Sequence, residues 1–347
     1  MLFRFTMFLS FGLGVMVAAP AYPKPATSER VLLVVSGHGA DEGKTRPGFE
    51  MDELTQAYAV FAHNGLEVDI ASPAGGAVVA DRFDRKKPYN ERFLSDPAAA
   101  AKLTNTRSLA SLGDVAYGAV FVIGGKGAMF DLPVNATLKT LLASTYEAGG
   151  VIGAVCHGPA VLMNVPLKSG ASLLDGRAVT GFSNEEEALF GKNWAPLFPV
   201  LLENGLRGSG ARFSEAPLML NHVVADGRLV TGQNPYSTAA AAEAVVRAMG
   251  RTPAPREPWA DERSMTLLGQ MLAGDKADAR AAFAANPAAY DVPLIAMWGY
   301  YRAQAAGSDS AALANGLEVM ELAKPHFSRP ELVAAIADAR SKLGNLR

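Results

Sequence analysis

Val151-Ile152-Gly153-Ala154-Val155-Cys156-His157-Gly158-Pro159-Ala160-Val161-Leu162 is the stretch on which the reading of this chain turns. Its first five residues are an apolar run, the pattern of a parallel strand buried on both faces. Gly158 permits a tight bend, and Pro159 is tolerated in the first turn of a helix. The stretch therefore predicts a strand that turns sharply into a helix, with Cys156 on the elbow. A thiol there sits near a helix N-terminus, where a thiolate is stabilised and a nucleophile is exposed. Cys156 is also the chain's only cysteine. Taken alone, a Cys-His pair reads more readily as an inert buried thiol. The elbow context favours chemistry.

Outward from this stretch the pattern is alternating strand and helix. Arg30 to Ser36 reads as a strand, and Ser36-Gly37-His38-Gly39 is the loop at its C-terminal end. In an open α/β sheet that edge is where ligands bind. A helix starts within Gly48-Phe49-Glu50-Met51-Asp52-Glu53-Leu54 and is closed by Asn64-Gly65, a suitable C-terminal cap. Leu66 to Pro73 is the next strand and its exit, which completes a right-handed βαβ unit. Residues 75–105 are polar and read as a loop-rich flap with short helices, one of them over residues 96–103. A strand over residues 117–123 ends in Gly124-Gly125-Lys126-Gly127, whose backbone N–H groups can form an anion pocket. After the elbow come a short strand at 178–182, the acidic run Glu185-Glu186-Glu187, a strand and its exit loop over 229–235 and an Ala-rich helix over 237–249.

Composition bounds the function. Hydrophobic residues make up 49% of the chain, enough for a large core, and the formal net charge of −2 gives no electrostatic case for nucleic acid or an anionic membrane as a partner. No C-x-x-C, H-E-x-x-H or P-loop pattern calls for a metal or cofactor. The N-terminus reads as an export signal. Arg4 precedes an apolar stretch over residues 7–19, and Ala19-Pro20-Ala21 supplies a cleavage site. Residues 1–21 are thus expected to be removed, giving a periplasmic or secreted protein with no stable membrane insertion. One cysteine in an oxidising compartment cannot form an internal disulfide, so the thiol is either protected or used.

Six segments, G-F-E-M-D-E-L, A-S-P-A-G-G, G-G-K-G-A-M-F-D-L-P, A-V-C-H-G-P-A, V-T-G-F-S-N-E-E-E and L-V-T-G-Q-N-P-Y-S, occur in this order. Together they resemble the DJ-1/PfpI superfamily, on its branch of Hsp31-like glyoxalases, over residues 31–250. The resemblance implies a flavodoxin-like α/β sandwich with a mostly parallel sheet and the cysteine on a nucleophile elbow. It implies roles residue by residue: Cys156 as nucleophile, His157 as the histidine after it, and Glu53 as the glutamate that contacts the thiol. Gly124 and Gly125 match the loop whose N–H groups face the substrate oxygen. Glu186 is the match for the carboxylate beside the histidine, with Glu185 and Glu187 as rivals in the same run. The loop departs from the family's usual G-G-H-G in having Lys126, which reads as a surface lysine pointing at water or, at the pocket mouth, as a charge that favours an anionic substrate.

The chemistry of these residue types agrees. A thiolate adds to the aldehyde of a 2-oxoaldehyde, a base moves a proton between the two carbons, and hydrolysis of the thioester releases a 2-hydroxy acid. Either Glu53 or His157 can be that base. The expected activity is thus a glutathione-independent glyoxalase, methylglyoxal to lactate, needing no cofactor. A cysteine peptidase or amidase, and an Hsp31-like chaperone without turnover, are the alternatives. A homodimer is compatible with the reading.

Beyond residue 250 the character changes. Thr252-Pro253-Ala254-Pro255-Arg256-Glu257-Pro258 reads as a stiff linker over residues 251–260. Residues 261–347 form an all-α extension, with helices expected over 261–272, 275–285, 291–306, 309–323 and 328–343. Ser328-Arg329-Pro330-Glu331 is a capping-box start with Pro in the first turn. The family resemblance does not cover this extension, which reads as a lid or packing element, or as a surface for a partner.

Overall fold

The structure, a computed structural model, describes residues 28–113 and 115–345. The expected export segment, residues 1–21, lies outside the described residues. Among the described residues no helix is long and apolar enough to cross a membrane.

Among the described residues nine strands form two sheets: β1 (Arg30–Val34), β2 (Glu67–Ser72), β3 (Arg107–Ser108), β4 (Ala119–Val122), β5 (Val151–Val155), β6 (Ala178–Val179), β7 (Arg212–Phe213), β8 (Val223–Asp226) and β9 (Leu229–Gly232). The main sheet has the order β3-β2-β1-β4-β5-β9-β8, and β6 pairs with β7 apart from it. All neighbours in the main sheet are parallel except β8 and β9. With the two-residue edge strand β3 and the antiparallel edge β8 set aside, the order is that of a flavodoxin-like sheet, which reverses its winding between β1 and β4. The apolar run of β5 is buried at every residue, as a central strand covered on both faces must be.

The helices of this α/β part are α1 (Met51–His63), α2 (Pro88–Ser95), α3 (Pro97–Thr104), α4 (Ala128–Asp131), α5 (Ala136–Glu147), α6 (Asn184–Phe190), α7 (Leu202–Gly208) and α8 (Thr238–Ala248). Within the polar excursion α3 is capped by Asp96, whose carboxylate accepts from the N–H groups of Ala98 and Ala99. One hydrophobic cluster, drawn from residues 31–246, fills both faces of the sheet.

Five helices follow: α9 (Ala260–Ala273), α10 (Lys276–Ala285), α11 (Val292–Ala305), α12 (Ser310–Ala323) and α13 (Pro330–Asn345). They start and stop within about two residues of the spans expected from capping and periodicity. They have a core of their own, but Leu218, Met219 and Leu220 of the α/β part are built into it. The Pro-rich segment before α9 is tied down along its length. Ala254 N–H donates to Asn64 Oδ1 at 2.7 Å and His63 Nε2 lies 2.9 Å from the Pro255 carbonyl, both at the end of α1. Arg256 pairs with Glu243 of α8 and Glu262 of α9 at 2.8 and 2.6 Å, and its guanidinium stacks over Trp259. Tyr89 of α2 donates to Asp261 at 2.7 Å, so the flap also touches the extension.

Candidate active site

Cys156 follows β5 with φ of +58°, a left-handed conformation that a residue with a Cβ adopts at a cost. Its neighbours hold it there. Cys156 N–H donates to the Gly232 carbonyl at 3.0 Å, and Phe182 N–H donates to the Cys156 carbonyl at 2.9 Å. The close approach of the glycine loop needs Gly124, where a Cβ would lie 2.7 Å from Cys156 Cβ. Beyond the elbow the structure departs from expectation. Residues Gly158–Leu162 form a single 3-10 stretch, because the chain turns away at Asn164 with φ of +58°. The segment that follows the elbow is therefore not the full α-helix expected, and its own macrodipole is small. The thiol is accordingly not acidified. Burial raises its pKa well above the ordinary value, and the neighbouring Glu53 carboxylate would raise it further.

Activation instead has to come from side chains. His157 Nδ1 lies 3.3 Å from Cys156 Sγ, and His157 Nε2 lies 2.8 Å from Glu187 Oε2, with imidazole and carboxylate both buried. Burial holds the His157 pKa below its usual value, so the free ring is neutral. With Nε2–H donated to Glu187, Nδ1 is left as the acceptor facing the thiol. That is the arrangement of a nucleophile, a base and a residue that orients the base. Phe182 packs on the imidazole with ring centroids 4.5 Å apart and fixes its plane from the side.

Glu53 comes from the first turn of α1 and is fully buried. Its Oε2 accepts from Gly124 N–H at 2.7 Å, and its carboxyl meets the Cys156 thiol. Burial, and then the charge of Glu50, push its pKa well above the carboxylate range. Burial thus favours the neutral form of Glu53, which can give a proton beside the sulfur.

Two expected assignments are corrected. Glu186 does not meet the histidine. It is the third residue of α6, and its side chain closes a capping box with Ser183. Its Oε1 accepts from Met219 N–H at 3.0 Å and from Asn234 Nδ2 at 2.8 Å, which ties two loops of the pocket together. Glu187, one residue on and about 100° around the helix, faces His157. The motif Ser183-x-x-Glu186 carried the signal, since a glutamate at that spacing belongs to the cap. Gly124 is the second correction. Its N–H is taken by Glu53, so it has none left for a substrate oxygen. Gly125, with φ of +88°, directs its N–H at the Cys156 sulfur.

Cys156 and His157 open on a cavity of about 290 Å³. Lys126 lines it as expected, but beside Glu50 and Asp81, which sequence reasoning passed over. Burial and the charges of Asp52 and Asp81 push the Glu50 carboxyl up to about 7. The lining holds no surplus positive charge, and the expectation of an anionic substrate loses its basis. Tyr236, Met297 and Tyr301 were also missed as lining residues; the last two come from α11 of the extension. Local spacing carries no signal for a contact of that range.

The sequence model of the DJ-1/PfpI family matches residues 45–248. The chain is 33% identical over 244 residues to the glutathione-independent glyoxalase hsp3101 of Schizosaccharomyces pombe, a match that covers 64% of this chain and 96% of that protein. It is 31% identical over 234 residues to glyoxalase 3 of Candida albicans, covering 63% of this chain and 98% of the other. Among solved structures it is similar to the Rapid Encystment Protein 24 KDa of Francisella tularensis, with a TM-score of 0.60, 32% identity and coverage of 63% and 98%. It is also similar to glyoxalase III from Candida albicans, with a TM-score of 0.58, 28% identity and coverage of 63% and 96%.

Proposed function

The chain belongs to the DJ-1/PfpI family, and we propose that it is a glutathione-independent glyoxalase that turns a 2-oxoaldehyde into a 2-hydroxy acid on Cys156. The observation that carries this reading is the placement of two proton-carrying side chains at the sulfur. His157, oriented by Glu187, lies 3.3 Å from it, and the Glu53 carboxyl meets the thiol from α1.

In this reaction His157 takes the thiol proton as Sγ adds to the aldehyde carbon, and Glu53 gives its proton to the aldehyde oxygen. The product is a hemithioacetal. Glu53, now a carboxylate, removes the hydrogen on that carbon, and His157 protonates the neighbouring carbonyl oxygen to give an enediol. Glu53 returns its proton to the second carbon while His157 takes back the proton of the first hydroxyl. A thioester remains, with one carbon oxidised, its neighbour reduced and no external oxidant used. Water then attacks the thioester, Glu53 accepts its proton, and the departing thiolate recovers its own from His157. Every group is back in its starting state. The N–H groups of Gly125 and His157 are the donors for the developing oxyanion.

All of these groups come from one chain. Residues 1–21 are proposed to export the protein, which would put the activity in the periplasm or outside the cell. The test is formation of lactate from methylglyoxal by the reduced protein without glutathione. Turnover that survives Cys156→Ser would end the covalent mechanism.

A further inference from the structure

The cavity above Cys156 is walled partly by a helix outside the family match. The match ends at residue 248, and α11 begins at Val292. From α11, Met297 and Tyr301 line the same cavity as Cys156 and His157. This helix is fixed in place. Trp298 is fully buried, and its Nε1–H donates to the Leu218 carbonyl at 2.8 Å, next to the lining residue Met219. Arg302 reaches Glu185 at 3.3 Å. On its far side α11 packs against α12 so closely that a Cβ on Gly299 would come within 2.8 Å of the Gly316 carbonyl oxygen. A helix held on both sides is a fixed wall.

The cavity has two chemical characters. Glu50, Asp81, Lys126 and Glu186 supply its ionisable lining. Phe182, Phe190, Met219, Met297 and Tyr301 supply an apolar one. The aromatic residues form a continuous run outward from the reacting histidine. His157 packs on Phe182 at 4.5 Å, Phe182 on Phe190 at 6.5 Å, and Phe190 edge-on to Tyr301 at 4.9 Å. Methylglyoxal has few atoms to use this surface. Its five heavy atoms, each given the share of a water in liquid, about 30 Å³, fill at most roughly 150 Å³. That is about half of the cavity's 290 Å³.

We propose that Tyr301 and Met297 of the helical extension set the substrate class of the site, favouring 2-oxoaldehydes that carry a bulky apolar substituent. This rests on the glyoxalase reading of Cys156. The dicarbonyl end lies at the sulfur, and the substituent lies along Phe182, Phe190 and Tyr301, where removal of its surface from water and edge-to-face contacts both favour binding. A methyl group reaches little of that wall.

The test uses the full chain without glutathione and measures kcat/KM for phenylglyoxal and methylglyoxal, in the wild type, Tyr301→Ala and Met297→Ala. The ratio of the two values is compared between proteins, which cancels the intrinsic reactivity of the aldehydes. The wild-type ratio should fall roughly tenfold in Tyr301→Ala and by a smaller factor in Met297→Ala, the scale of losing apolar contact in a specificity pocket. Met297 is 39% exposed, so its truncation leaves the fold intact and serves as the second variant if Tyr301→Ala is unstable. A ratio that stays within about twofold of wild type in every folded variant overturns the inference and leaves the glyoxalase reading standing. Failure of the wild type to convert either aldehyde overturns the activity reading, and this inference with it.

Discussion

His157 Nε2 lies 2.8 Å from Glu187 Oε2, and this contact turns the other face of the ring, Nδ1, toward Cys156 Sγ at 3.3 Å. An orienting carboxylate of this kind sets the tautomer and stabilises the imidazolium that forms when the thiol gives up its proton. Glu187→Gln should keep the fold and lower kcat by roughly 10²-fold or more, by analogy with the loss of the orienting acid in other triads. Glu186→Ala should do something different. It leaves Met219 N–H without its acceptor, and one N–H of the Asn234 amide, whose other bond goes to the Leu220 carbonyl, at about 1–3 kcal/mol for each buried group. Thermal melts and turnover, measured on both variants, separate the roles. A Glu186 variant that melts normally and is as inactive as the Glu187 variant would reverse the assignment.

Cys156 and Glu53 act on the same covalently held substrate, so their substitutions should not add. Cys156→Ser should remove turnover, and Glu53→Gln should leave a folded protein with little activity, since an amide cannot cycle a proton. The double variant should cost hardly more than the worse single one. Losses that multiply would mean that Glu53 works on a step the sulfur does not share.

What the sequence disclosed divides along a physical line. Strand β5, the elbow and the tail helices are local patterns. An apolar run, a Gly-Pro bend or an Asp before a helical stretch states its structure within a few residues, and the spans of β5 and α9 to α13 follow from that. The choice among Glu185, Glu186 and Glu187 was legible only through the cap at Ser183, which assigns Glu186 to the backbone and leaves Glu187 for the site. The use of Gly124 N–H by Glu53 joins groups 71 residues apart and has no local mark. Helix α11 gave one sign, Val292 to Trp298 being almost wholly apolar, as befits a helix covered on more than one side. It did not say that one of the covers is the catalytic pocket.

The extension and the α/β part have separate cores joined at residues 218–220. A chain ending at Gly250 should therefore stay folded, because the buried residues of the first core all lie at or before Val246, and from beyond Gly250 it is Trp259 that packs against them. It should melt at lower temperature, having lost the Arg256 bridges and the cover over Leu218, Met219 and Leu220. Far-UV circular dichroism and a melt check this. An unfolded product would show that the two cores are one cooperative unit.

The buried carboxyls give stability an uncommon pH dependence. Glu186 has a folded pKa of about 7, raised by burial above a usual value of 4.5. The folded state thus holds its proton more tightly than the unfolded state does. Between these values the native protein binds more protons, so stability falls as pH rises. The contribution is fully present below about pH 4.5 and is lost by about pH 7, and Glu50 acts in the same window and direction. His157, whose pKa burial lowers, acts with the opposite sign below its ordinary value of 6.5, because the unfolded ring takes up the proton first. Comparing variants cancels that opposing effect. From pH 5 to pH 8 the wild type should lose roughly 2 to 3 kcal/mol more stability than Glu186→Gln, which has no proton to release. Urea unfolding across this range measures it. Parallel curves for the two proteins would mean that Glu186 is ionised in the native state at pH 5, with its three hydrogen bonds outweighing its burial.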